Sequence, residues 1–120
     1  MSLKVYCYSG CGTCKKALKY FELKGVDVQV VPIRETPPTK TELRKMLQYQ
    51  DGNIKKLFNT SSKDYKQGGY KDKLPKMTAG EAIDVLNATG NLVKRPFILG
   101  ETFGLVGFNV EYWDEVLFQE

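Results

Sequence analysis

The chain has 120 residues, 42% of them hydrophobic and 27% charged, with 18 basic against 14 acidic side chains and a formal net charge of +4. That length suits one domain around one core, and no apolar run approaches the ~20 residues that cross a bilayer. The chain contains no histidine, which removes Ser-His-Asp triads, Cys-His nucleophiles and histidine-ligated metal sites together.

Met1-Ser2-Leu3 leads straight into a strand-like segment with no signal peptide, so a soluble, cytoplasmic protein without a membrane partner is expected. Lys4–Tyr8 reads as a short strand of aromatic and β-branched residues, broken at Ser9-Gly10. From Gly12 a helical pattern begins, with Cys14, Ala17, Leu18 and Phe21 on its apolar face and Gly25 as its C-cap. Val28–Ile33 gives a second strand, expected to be mostly buried. It completes a β-α-β unit whose crossover implies parallel pairing.

Pro37-Pro38 precedes Thr39-Lys40-Thr41-Glu42, a capping box opening a helix whose apolar face is Leu43, Met46 and Leu47. Asp51-Gly52-Asn53 marks a turn, and Ile54–Phe58 a short helix. The polar stretch Lys63–Pro75, with Gly68-Gly69 at its centre, reads as a surface turn or short helix. Thr78-Ala79-Gly80-Glu81 is a second capping box. Its helix should turn Ala79, Ala82, Ile83 and Leu86 inward and close near Gly90. Pro96–Leu99 and Thr102–Val106 flank Gly100-Glu101 as a hairpin. After Gly107 a last amphipathic helix is expected, capped by Asn109, with Val110, Trp113 and Leu117 facing the core.

Three cysteines lie between Cys7 and Cys14 and none elsewhere, which describes a local thiol site in a reducing compartment rather than a disulfide framework. Cys11-Gly12-Thr13-Cys14 is a CxxC at a strand-to-helix junction, where a redox motif belongs. A sulfur at a helix N-terminus meets unpaired backbone N–H groups and the positive end of the helix dipole, and both favour thiolate. Lys15 adds to that field. Cys11 precedes the helix and should be the exposed attacking nucleophile, whereas Cys14 belongs to the apolar stripe and should be the resolving thiol. Cys7, Cys11 and Cys14 also form the C-x3-C-x2-C spacing of radical-SAM cluster sites, but that chemistry uses a much larger barrel. Cys7 is assigned to the core and no metal is expected. Arg95-Pro96, just before the hairpin, offers either an ordinary surface charge or a guanidinium suited to holding an oxyanion near Cys11. The fifteen lysines and three arginines are scattered, which describes a solvated surface rather than a face that binds nucleic acid directly.

Taken with Leu57-Phe58-Asn59-Thr60-Ser61, Lys71-Asp72-Lys73-Leu74-Pro75 and Lys94-Arg95-Pro96 with Val106-Gly107-Phe108, the stretch Cys11–Ala17 resembles the arsenate reductase/Spx family over essentially the whole chain. The resemblance implies an α/β, thioredoxin-like fold (β-α-β … β-β-α) in a single domain, 1–120. Segments 1–33 and 94–120 would be its redox core and 34–93 a helical insertion between strand 2 and the X-Pro hairpin. It implies that Pro96 is cis and packs against the Cys11–Cys14 site, with Gly12 and Thr13 as structural members, that Cys11 is the nucleophile, and that Arg95 binds an oxyanion. Lys15 is a further candidate for oxyanion binding.

No cofactor is implied, since electrons would come from thioredoxin or from glutaredoxin and glutathione. Within the family, glutaredoxin-linked arsenate reductases hold arsenate among three arginines. Of Arg34, Arg44 and Arg95 only Arg95 matches here, Ser61 and Gly107-Phe108 stand where relatives carry other groups, and Lys15, Lys16 and Lys63 are the cations left to compensate. Spx-like regulators form the other branch and bind the RNA polymerase α subunit, with CxxC as an oxidation switch. The leading expectation is thus an arsenate-reductase-like thiol–disulfide oxidoreductase. A redox-sensing regulator is the alternative, and a module with incidental thiols the residual one.

Overall fold

The computed structural model describes residues 2–8, 10–107 and 112–115. Its elements in chain order are β1 (Ser2–Cys7), α1 (Gly12–Lys24), β2 (Asp27–Pro32), α2 (Lys40–Tyr49), α3 (Lys63–Gln67), α4 (Tyr70–Lys73), α5 (Ala79–Ala88), β3 (Phe97–Leu99) and β4 (Gly104–Val106). Short 3-10 turns occupy Ile54–Leu57, Leu74–Lys76 and Gly90–Leu92, and residues 112–115 are helical.

The four strands form one sheet in the order β2-β1-β3-β4, with β1 parallel to β2 and antiparallel to β3, and β3 antiparallel to β4. This is the expected β-α-β unit joined to a hairpin, with every helix from α2 to α5 inserted between β2 and β3. Each side of the sheet carries its own core, because successive strand residues point to opposite faces. Leu3, Val5 and Cys7 of β1 join Cys14, Ala17 and Phe21 of α1, with Ile98, Leu105 and Trp113. Tyr6 and Phe97 point the other way, onto Leu43 and Met46 of α2 and Ala82, Ile83 and Leu86 of α5. The 112–115 turn docks on α1 through Trp113, whose ring stacks on Phe21 at 5.2 Å, and through the Tyr20 hydroxyl donating to Asp114 Oδ1 at 2.5 Å.

Several local expectations are met. Gly25 closes α1 in the left-handed region at φ 69°, where a side chain would cost energy. Thr39 and Thr78 open α2 and α5 with complete capping boxes. Glu42 does more than cap: its carboxylate accepts the Tyr6 hydroxyl at 2.6 Å and pairs with Lys4 Nζ at 2.9 Å, tying α2 to β1. The far end of α2 is tied to β4 by Gln50 Nε2, which donates to the Gly104 carbonyl at 3.1 Å.

Other expectations are corrected. β1 ends at Cys7, leaving Tyr8 in the turn. β2 is half exposed rather than mostly buried, with Val30 49% exposed, because it is an edge strand paired only with β1. Ala79 is exposed, lying in the first turn of α5 one residue past the cap. The stretch from Lys63 to Pro75 takes the short-helix alternative, as α3 and α4, but it is not confined to the surface, since its Tyr65 and Leu74 are core residues. The second hairpin strand starts at Gly104 rather than Thr102. Trp113 is buried as expected; Asn109, Val110 and Leu117 lie outside the described residues. Among the described residues, no helix is long and apolar enough to cross a membrane.

Candidate active site

The turn from β1 into α1 is closed by the Cys11 N–H donating to the Tyr8 carbonyl at 3.0 Å. This sets Cys11 at the N-cap of α1 in extended geometry (φ −89°, ψ 119°), half-buried, with Cys14 as the third helical residue, 1% exposed. No side chain caps the helix and its first turn carries no acidic residue. The N-terminal N–H groups and the positive dipole end are therefore left to the sulfurs and to whatever binds beside them.

The three thiols are free and form one chain of contacts. Cys14 is the receiving sulfur. The Cys7 thiol donates to it and is the largest influence lowering its pKa; burial opposes the shift, and the Tyr8 N–H, the Cys11 thiol and the Arg95 charge reinforce it. The balance holds Cys14 below the ordinary thiol value, at about 6, which favours its thiolate. Cys7 is pushed up, first by this hydrogen bond to Cys14 and then by burial, so it keeps its proton. Charge thus rests on the buried member of the CxxC, with the half-buried member as one of its donors.

Beside Cys11 opens a cavity of about 450 Å³. Cys11 and Thr13 form one wall, Asn59 and Ser61 a second, and Lys94, Arg95, Val106 and Gly107 the rest. Backbone bonds fix these walls. Lys94 N–H donates to the Leu57 carbonyl at 2.8 Å and Asn59 N–H to the Leu92 carbonyl at 2.7 Å, which stitches the inserted segment to the approach of β3. The Arg95–Pro96 peptide is cis, Pro96 is buried, and its carbonyl accepts the Gly107 N–H at 3.0 Å.

Arg95 Nε and Nη1 are buried and have no hydrogen-bond partner. Leaving such groups unmet is unfavourable by roughly 1–3 kcal/mol each, and the same side chain lines the cavity. The Arg95 guanidinium lies 5.5 Å from the Tyr8 ring, and that of Arg34 sits over the same ring at 3.5 Å, steadied by its Nε donating to Asn91 Oδ1 at 2.8 Å.

Cys11, Thr13 and Arg95 are thus gathered at one cavity, with Cys14 behind Cys11. Lys15 is not among them: it lines a second, more apolar cavity of about 290 Å³ with Cys7, Tyr8 and Cys14. Gly12 is exposed, and a Cβ there would meet nothing within 4 Å, so packing does not require glycine. Sequence reading overlooked Tyr8, Asn59 and Lys94 as site residues. Lys94 had a visible signal in its place next to Arg95, while Tyr8 was concealed inside an apparent strand. Among the described residues no group of three or more Cys, Asp or Glu is arranged to hold a metal ion.

The profile of the ArsC family matches residues 6–116. The chain belongs to the ArsC family. It is 37% identical over 115 residues to YusI, an uncharacterized protein of Bacillus subtilis, covering 96% of this chain and 98% of that one. More distant relatives fall on both sides of the family. The global transcriptional regulator Spx of Streptococcus mutans is 25% identical over 82% of this chain and 71% of its own. The arsenate reductase of Escherichia coli is 24% identical over 82% of this chain and 68% of its own. The structure superposes on an ArsC family related protein of Bacteroides fragilis with a TM-score of 0.89 at 37% identity, over 97% of this chain and 99% of that one. The thioredoxin-like fold is therefore shared with ArsC-family structures, in a family that holds both reductases and regulators.

Proposed function

We propose that this ArsC-family chain is a cytoplasmic thiol–disulfide oxidoreductase of the arsenate-reductase type, with Cys11 as nucleophile and Cys14 as resolving thiol. The observation that carries this is the meeting of Cys11 with the unpartnered guanidinium of Arg95 across one cavity, with the Cys14 thiolate hydrogen-bonded behind it. With arsenate, Cys11 Sγ attacks arsenic while Cys14 takes the Cys11 proton and passes it to the oxygen that leaves as water. Cys14, a thiolate again, then attacks Cys11 Sγ. The Cys11–Cys14 bond forms, the electron pair of the S–As bond passes to arsenic, and arsenite leaves. With a disulfide substrate the same two attacks expel two thiolates in turn. Thioredoxin, or glutaredoxin with glutathione, returns the two electrons. Arg95 orients the anion, and Lys94 supplies a second positive charge in the same cavity.

The test is NADPH-coupled arsenate turnover with thioredoxin and glutaredoxin systems supplied separately, on wild type, Cys11→Ser and Cys14→Ser. Turnover that vanishes in Cys11→Ser supports the reading, and the working reductant names the resolving path. Absence of a Cys11–Cys14 bond after peroxide or disulfide challenge removes it.

A second reading, a redox-sensing regulator that binds the RNA polymerase α subunit, has one observation in its favour. Lys94 and Val106 continue from the Cys11 cavity into a neighbouring 660 Å³ depression that holds Lys55, Lys56 and Phe58, a surface on which a partner would sense the oxidation state. Failure to capture the α subunit in either redox state removes this reading.

A further inference from the structure

Cys7 has no part in the cycle above, yet its thiol hydrogen-bonds to Cys14. It ends β1 and lies in the same buried cluster as Cys14. Cys14 is the sulfur the other two share, since both Cys7 and Cys11 hydrogen-bond to it. The two outer sulfurs open on different surroundings. Cys11 lines the cavity that contains Arg95 and Lys94, whereas Cys7 and Cys14 line the 290 Å³ slot walled by Leu18, Val30 and Pro32.

We propose that Cys7 is a third redox thiol: once Cys11–Cys14 has formed, Cys7 Sγ attacks Cys14 Sγ, making a Cys7–Cys14 disulfide and returning Cys11 as a thiol. The relay rests on the oxidoreductase reading. It is an exchange in which one S–S bond forms as another breaks, the Cys7 proton goes to the departing Cys11 sulfur, and no electrons enter or leave. Thiol–disulfide exchange proceeds through attack on a disulfide sulfur by an incoming thiolate. Cys14, to which both other thiols hydrogen-bond, is the sulfur through which a disulfide can pass from Cys11 to Cys7.

The protonation of reduced Cys7 has two main causes, first the hydrogen bond to Cys14 and then burial. The first is lost once Cys14 is in a disulfide and carries no charge, and burial alone then opposes the step. The consequence is a division of labour between the two faces. The anion cavity regains a reduced Cys11 ready for the next substrate. The oxidised pair moves to the slot lined by Val30 and Pro32 of edge strand β2, which Arg95 does not line.

The experiment uses the full chain and its single-cysteine variants, treated with the azo oxidant diamide, alkylated in acid and denatured. In Cys11→Ser, both remaining thiols should disappear from the thiol titration while the chain stays monomeric on a non-reducing gel. In Cys14→Ser, both Cys7 and Cys11 should remain free. In the wild type, chymotryptic cleavage after Tyr8 separates Cys7 from the other two cysteines. A fraction of the product should then show the Cys7 fragment disulfide-linked to the Cys14 fragment, with Cys11 alkylated.

Two free thiols in oxidised Cys11→Ser, with only Cys11–Cys14 in the wild type, overturns the relay and leaves the oxidoreductase cycle standing. Loss of both thiols in Cys14→Ser overturns the assignment of Cys14 as the central sulfur. Absence of any intramolecular disulfide in the wild type overturns both the relay and the cycle on which it rests. Because the wild-type arm contains no substitution, a variant that fails to fold does not rescue the idea.

Discussion

Replacing Arg95 by methionine should act in opposite directions on stability and on anion binding. In the free protein, Nε and Nη1 of Arg95 are buried without partners, a penalty of about 1–3 kcal/mol for each such group. Methionine fills similar space and removes both. Against this stands the lost contact with the Tyr8 ring at 5.5 Å, worth about 0.5–1 kcal/mol. Arg95 is only half-buried, so the low end of the range applies and the net gain should be about 1 kcal/mol. For a domain of this size that corresponds to a rise in Tm of roughly 3–5 °C. An oxyanion satisfying the same two groups gains charge-assisted hydrogen bonds worth about 1.5–3 kcal/mol each. The variant should therefore bind arsenate or sulfate at least ~100-fold more weakly. Thermal melts over an anion titration read both effects at once. A variant that melts lower than wild type and still gains Tm with anion would refute the claim that the cavity is an anion site built on Arg95.

Five further outcomes rest on other parts of the structure. The Cys14 thiolate should titrate with a midpoint near pH 6 by ultraviolet absorbance, and Cys7→Ala should move it upward, because Cys7 is its strongest donor; an unmoved midpoint contradicts the contact. That lowered value also stabilises the fold: the gain is complete above the ordinary thiol pKa of about 8.5, shrinks as pH falls, and is gone below about 6, so denaturation midpoints of Cys14→Ala should lack this slope. Glu42 is pushed up by burial, but the Tyr6 hydroxyl, the Thr39 N–H and Lys4 outweigh burial and hold it below its ordinary value. Its contribution is present above the ordinary glutamate range and lost as pH falls through the lower folded value, and Glu42→Gln should flatten the acid limb of a stability curve. Cys11→Ser supplies an N-cap oxygen that α1 lacks and should raise stability by about 0.5–1 kcal/mol in urea melts while abolishing turnover. Gly90→Ala should destabilise severely, since its Cβ would lie 2.1 Å from the Ile33 carbonyl oxygen, and thermal melting will show whether the backbone gives way.

The sequence displayed what local chemistry decides. The helix from Gly12 to Gly25, both Thr-x-x-Glu boxes and the order of strands are set by caps, periodicity and turn residues, and all of these act within a few positions of one another. What it hid depends on neighbours far along the chain. Whether β2 is central or at the edge is settled by where β3 inserts, and β3 goes to the other side of β1, leaving Val30 uncovered. Tyr65 is buried because Phe58 and Tyr70 pack around it, which a run of lysines and glycines in between disguised. The same holds at the site. CxxC and Arg95-Pro96 were legible as motifs, but the turning of Lys15 to the second cavity and of Lys94 to the first follows from the packing of α1 and from the Lys94–Leu57 backbone bond.

The arrangement of the thiols has a simple origin in helix geometry. Two of the chain's helices begin with Thr at the N-cap and Glu three residues later, a spacing at which the two side chains reach across the first turn to each other's backbone N–H. In α1 the same two positions are Cys11 and Cys14. Sulfur in place of oxygen leaves the first-turn N–H groups uncapped, a loss of roughly 0.5–2 kcal/mol relative to a good N-cap, and brings two thiols into contact instead. The open N–H groups and the dipole then favour negative charge on the inner sulfur and on any anion beside the outer one. The residue that gives up a capping oxygen here is thus also one of the donors that lower the Cys14 pKa, beside Cys7 and the Tyr8 N–H. The feature that makes α1 the least well capped of the three helices is the one that makes its N-terminus reactive.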